Sequence, residues 1–171
     1  MKIALFIVAV FLLSSCTMTS PERYFDIAVL NSNTISQFGG KEIYDWLRTQ
    51  PQTYDEKSKQ MVTSSYVDYV KFKFSYAEKA LRDIEALTVT EDTKPMIEAS
   101  RDLFSYAVDK ERSGYVSIAA MKDHHASDEE IKAAAIDFNK QFQAEFGQKY
   151  DKMIEIGKAY AGKHNIKADF H

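Results

Sequence analysis

One cysteine, three prolines and six glycines in 171 residues leave this chain short of the usual structural punctuation. A lone cysteine cannot close an internal disulfide, so no disulfide framework is available to the fold. Lys and Arg total 22 against 25 Asp and Glu, and the net charge of −3 gives no basic excess that would draw a nucleic acid. No Asn-Gly or Asp-Gly dipeptide occurs, and no stretch alternates with period two over strand length, so β signals are absent. There is no His-Glu-x-x-His, no glycine-rich phosphate loop and no Gly-x-Ser-x-Gly elbow. No set of nucleophile, base and orienting group can be assembled either. The expectation is a protein that is not an enzyme and carries no cofactor.

Long apolar runs are also scarce. The single one, 3–13, is too short for a transmembrane helix, which needs about 20 apolar residues. It follows Met1 and the positive Lys2, which is the layout of a signal peptide. Directly behind it stands Leu13-Ser14-Ser15-Cys16. This resembles the lipobox of bacterial lipoproteins, an aliphatic residue and two small ones before a cysteine. Ser15 departs mildly from the commoner Gly or Ala. A secretory signal with a chance cysteine is the plain alternative, but the only cysteine falls where lipidation needs it. The resemblance implies that 1–15 is removed and that Cys16 is acylated, with palmitate among the expected fatty acids. Each buried CH₂ contributes about 0.8 kcal/mol, so two or more chains hold a protein stably on a bilayer. Thr17 stands where an Asp would signal inner-membrane retention, which favours the outer membrane in a Gram-negative envelope.

The rest reads as helix. Ser20-Pro21-Glu22 is an N-cap with proline in the first turn. Apolar residues recur from Phe25 to Leu47 at spacings of three or four until Pro51. Thr53-Tyr54-Asp55-Glu56 has the form of a capping box, as has Ser127-Asp128-Glu129-Glu130. Asp92 or Thr93 caps a third segment with Pro95 in its first turn, and Asn165 is a left-handed C-cap candidate. The spacing predicts helices over 21–49, 54–88, 93–122 and 128–165, each about 45–55 Å long. Matched lengths and short loops imply an all-α domain over 21–171, an antiparallel up-down-up-down four-helix bundle. Gly39-Gly40 is its weak point, and either a kink or a break is expected there. Length matching favours the kink.

The tether, 16–20, extends about 14 Å beyond the lipidated cysteine at most. The bundle is therefore expected almost against the bilayer. The 88–93 loop and the tail with Lys158, Lys163, Lys167 and His171 then return to the membrane, where cations suit anionic headgroups. A merely solvated tail is the bland alternative. Gln50, Gln52, Asp123, His124, His125 and Asp128 crowd the far tip, where a protein partner would dock.

The residues offer three chemical readings. A di-iron site needs Glu three residues before its histidines, but Met121, Lys122, Ala161 and Ala168 precede His124, His125, His164 and His171. The His124-His125 pair, near Met121, Asp123 and Asp128, is a candidate metal ligand set, against the simpler role of a polar loop. Finally, Phe25, Tyr66, Tyr69, Phe104, Phe138, Phe142 and Phe146 fall on inward faces. These rings are core first, and alternatively the walls of a cavity for a small apolar ligand, as in a carrier or sensor. Asn31, Ser32, Asn33 and Ser36 sit oddly within the first helix, since such residues prefer caps and turns. The mature region also resembles the small helical lipoproteins of bacterial envelopes. The likeness lies in its lipobox, short tether, Pro21-Glu22-Arg23-Tyr24-Phe25 opening and Lys163-His164-Asn165-Ile166 close. That layout brings no activity or binding residues with it.

Overall fold

The structure, a computed structural model, describes residues 19–169. The lipobox and Cys16 lie outside the described residues. The chain is mostly helical, with one two-stranded sheet. Its elements are α1 (Pro21–Ala28), a 3₁₀ turn (Leu30–Ile35), α2 (Gly40–Trp46), β1 (Gln52–Asp55), β2 (Gln60–Thr63), α3 (Tyr66–Glu85), α4 (Lys94–Lys110), a π-turn (Glu111–Tyr115), α5 (Val116–Asp123) and α6 (Asp128–His164). Among the described residues no helix is long and apolar enough to cross a membrane.

The later elements follow their local signals. α6 opens on a complete capping box, Ser127 Oγ accepting from Glu130 N–H while the Glu130 carboxylate accepts from Ser127 N–H at 2.7 Å. It closes on Asn165 at φ 56°. α4, the π-turn and α5 run on as one helical rod from Lys94 to Asp123.

The first predicted helix is broken rather than kinked. α1 ends at Ala28, and the polar run behind it tightens into the 3₁₀ turn, where Thr34 Oγ1 donates to Asn31 O at 2.8 Å and Ser36 Oγ to Asn33 O at 3.0 Å. These local bonds compete with the i to i+4 ladder, which is why the helix does not continue. Gly39 then takes φ +147°, and a Cβ on Gly40 would lie 1.8 Å from the Ala135 carbonyl oxygen. Glycine is required at both, one for the turn and one for the close approach to α6.

The second predicted helix is also shorter at its start. The expected capping box at Thr53–Glu56 is instead the first half of a hairpin, with Tyr54 opposite Met61 and Thr53 opposite Val62. Asp55 organises the loop, its carboxylate accepting from Lys57 N–H at 3.2 Å and Ser58 N–H at 3.1 Å. Lys59 adopts φ 57° without a glycine to advertise it. α3 begins at Tyr66, and Asp123 caps it from across the fold, accepting from Tyr66 N–H at 2.8 Å and Val67 N–H at 3.1 Å.

Long-range bonds gather these elements at two ends. At one, Tyr24 Oη donates to Thr88 O at 2.9 Å, and Lys163 and His164 of α6 pair with Asp92. At the other lie the Asp123 cap on α3 and Tyr44 Oη donating to Asp128 Oδ2 at 2.7 Å. The start of α1 thus sits with the 88–93 loop and the end of α6, while the hairpin joins the opposite end. Between them α4 packs on α3 and α6, and α2 on α6.

Candidate functional site

Two features stand apart from ordinary helical packing. The first is an exposed apolar face. Among the described residues the large exposed hydrophobics include Tyr54, Met61 and Val62 on the hairpin, with Phe72 and Tyr76 on α3. Met61 is 57% and Phe72 59% exposed. Phe72 and Tyr76, one helical turn apart, meet edge to face at 5.6 Å between centroids. A groove of about 370 Å³ runs between hairpin and helix, with Tyr54, Met61, Tyr69 and Phe72 in its walls. Asp68 lines the groove, and further along α3 Lys79 pairs with Asp83 at 2.5 Å. The hairpin is exposed along both strands, so little of its surface is spent on the core. Tyr54, Met61 and Phe72 share the groove and Tyr76 touches Phe72, and an exposed apolar patch of this kind marks an interaction site more often than chance exposure does.

The second is a buried polar joint where α2 meets the π-turn. Glu111 is 2% exposed, and its Oε2 has no hydrogen-bond partner. Tyr115, fully buried, places its hydroxyl 2.7 Å from Gly39 N, 2.9 Å from Gly39 O and 2.9 Å from Glu42 Oε2. Burial pushes the Glu111 carboxyl well above its ordinary range, and the neighbouring Glu42 and Glu78 push it the same way. Burial also raises Glu42, against the opposing pull of Tyr115 and Lys73. The Tyr115 phenol is raised by burial and by both glutamates, so it stays neutral. Glu78 answers Arg112 at 2.6 Å on the outer side. Gly114 admits the Phe138 ring, which would lie 2.5 Å from any Cβ there. A π-turn carrying a buried acid is a local irregularity of the sort found at functional positions.

The residues singled out from sequence are dispersed between other tasks. His124 terminates α5, and His125 follows at φ 64°. Their carboxylate neighbours are engaged elsewhere, Asp123 on the α3 N-terminus and Asp128 with the Tyr44 hydroxyl. Among the described residues no group of three or more His, Cys, Asp or Glu side chains is arranged to hold a metal ion. The inward rings pack on one another. Phe38 stacks on Phe146 at 4.3 Å and meets Phe138 at 5.4 Å, and Phe138 meets Tyr115 at 5.0 Å.

Both features leave traces in the sequence. Phe72 and Tyr76 fall off the inward stripe of Val70, Phe74 and Ala77, so their exposure was already encoded. Glu111 is a charge at an inward position between Val108 and Tyr115. Glu42 gave no signal, because its burial depends on where the broken first helix lands. No protein-family model, curated protein or solved structure matches the chain.

Proposed function

We propose that this chain is a membrane-anchored envelope lipoprotein acting as a non-enzymatic binding module, which engages a protein partner through the hairpin and the outer face of α3. The observation that carries the partner is the cluster of Tyr54, Met61, Phe72 and Tyr76. In this reading the helices make an up-down-up-down four-helix bundle whose first arm is the broken α1, 3₁₀ turn and α2, and whose third is the rod from α4 to α5.

The tether explains the placement. Acylation at Cys16 would hold the start of α1 within about 14 Å of the bilayer. α3 has 20 residues and spans about 30 Å. It begins beside the hairpin and ends by the 88–93 loop, so the apolar face lies towards the membrane-distal end and points to another protein rather than to lipid. The unpaired outer edges of a two-stranded hairpin add backbone donors and acceptors that an extended segment of the partner can meet. A second copy fits less well. Pairing α3 antiparallel would turn the two tethers to opposite ends. Pairing it parallel would set Lys71 against itself.

Two experiments test the reading separately. Replacing Cys16 by Ala should release the protein from membranes, and continued membrane association would refute the anchor. A photo-crosslinker at position 72 of the intact chain should give one discrete adduct, lost on Tyr54→Ser/Met61→Ser substitution and absent from a crosslinker at Lys152 on α6. Equal labelling from both positions would refute the face, and an adduct of twice the chain mass would replace the partner by a second copy.

A further inference from the structure

The groove between the hairpin and α3 has two walls that stay apart. Tyr54 stands opposite Met61 across the hairpin, and Gln52 lies two residues before Tyr54, so the three share one face of the sheet. All three line the groove, and Asp68, Tyr69 and Phe72 line it from α3. Asp68 and Phe72 are one helical turn apart, on the same side of the helix. Tyr54, Met61 and Phe72 remain exposed because neither wall covers the other. Among the described residues neither Tyr54 nor Tyr69 enters a ring pair.

The electrostatics of the groove are one-sided. Asp68 is the only charged residue lining it. Its backbone N–H donates to Ser65 Oγ at 3.0 Å, but among the described residues its carboxylate enters no ion pair. Asp68 is not needed as a cap, since Asp123 already accepts from the N–H groups of Tyr66 and Val67. Ring faces carry the negative part of the aromatic quadrupole, so Tyr54, Tyr69 and Phe72 add to the carboxylate instead of offsetting it. The lysines of both elements are placed elsewhere, Lys57 and Lys59 in the hairpin loop and Lys73 over the Trp46 ring at 5.1 Å. Lys71 does not line the groove.

Such a lining selects a flat cation carried on an apolar stem. A guanidinium meets each condition. It stacks on ring faces, is more weakly hydrated than an ammonium, and offers paired N–H donors to a carboxylate. Its methylene stem packs beside an apolar side chain such as Met61 while the charged head reaches Asp68. We propose that the groove is an arginine seat, where an arginine of the partner's extended segment meets the Tyr54, Tyr69 and Phe72 rings and pairs with Asp68. The seat rests on the reading of this face as the docking surface, and it names the chemistry of the segment that docks.

The test is an NMR titration of the full chain with N-acetyl-arginine methylamide and with its citrulline counterpart, which keeps the shape and loses the charge. The arginine compound should shift the ring signals of Tyr54, Tyr69 and Phe72 saturably, and bind at least about threefold more tightly than the citrulline one. Asp68→Asn should remove most of that difference. Glu85→Gln, which neutralises an exposed acid at the other end of α3, should leave it intact. Equal binding of the two compounds, or a preference that survives Asp68→Asn, would overturn the seat and leave the docking face standing. Ring signals that do not move would overturn it too, and the crosslinker at position 72 then judges the face independently. In the adduct from that position, mass spectrometry should find an arginine in the partner's attached segment, and a segment without one would count against the seat alone.

Discussion

Replacing Tyr115 by Phe removes one oxygen and leaves the ring, so it isolates what the hydroxyl contributes. The ring keeps its neighbours, Phe138 at 5.0 Å and Trp46 edge-on at 5.6 Å, and no cavity larger than a hydroxyl is made. What is lost is the acceptor for Gly39 N–H and one of two donors to Gly39 O, which keeps Ile43 N–H at 3.3 Å. A buried backbone N–H left without a partner costs about 1–3 kcal/mol, and the carbonyl, with lone pairs to spare, costs less. Glu42 also loses a partner but stands near Lys73, which limits its penalty. The expected total is about 2–3 kcal/mol, or about 5–10 °C in Tm for a domain of this size. Tyr24→Phe is the matched control, because its hydroxyl makes a single bond to Thr88 O at a partly exposed end. That change should cost no more than about 1 kcal/mol. Urea unfolding followed by circular dichroism at one fixed pH compares the two. If Tyr115→Phe falls within about 0.5 kcal/mol of the control at unchanged m, the buried network does not hold α2, and the reasoning built on it fails.

Other consequences are open to the same assay. Gly40→Ala should destabilise by about 3 kcal/mol or more, because its Cβ would fall 1.8 Å from a backbone oxygen that cannot rotate away. Gly147→Ala should stabilise by about 0.5–1 kcal/mol, since nothing lies within 4 Å and alanine is the better helix former. Asp123→Ala should cost about 1–2 kcal/mol by uncapping α3 from a distance, with amide exchange rising at Tyr66 and Val67. Asp92 is held below its ordinary 3.8 by Lys163 first and also by His164. Its contribution is therefore present above that value and lost as the pH falls through the folded one, and Asp92→Asn should flatten the acid limb of the stability curve.

How much of this could be read from sequence follows from how far each signal reaches. Ser20, Ser127 with Glu130, and Asn165 act within four residues of themselves, and each does in the structure what its pattern implies. The inward stripe of α6 reads correctly at Ile131, Ala135, Phe138, Phe146 and Met153, because a helix of 37 residues repeats its period often enough to be unmistakable. The hairpin gave no comparable signal. Its loop is built by Asp55 and a left-handed Lys59 rather than by Asn-Gly, and four-residue strands are too short for alternation to stand out from helical spacing.

The break in the first helix shows why the remainder was hidden. Gly39-Gly40 was visible as a weak point, and length matching favoured a kink because equal arms close a bundle. The choice was settled elsewhere in the chain. Gly40 must come against the Ala135 backbone, Gly39 needs the Tyr115 hydroxyl, and α3 needs Asp123 at its start. Each of these is a contact more than fifty residues long, between a position that looks permissive and a partner that looks ordinary. The same long-range pairing buries Glu111 and brings the half-buried Glu42 close enough to raise it, although nothing near either residue forecasts the other. A glutamate on an inward stripe is therefore the one local clue to such a joint. Its meaning appears only when the element across from it brings a second acid instead of a base.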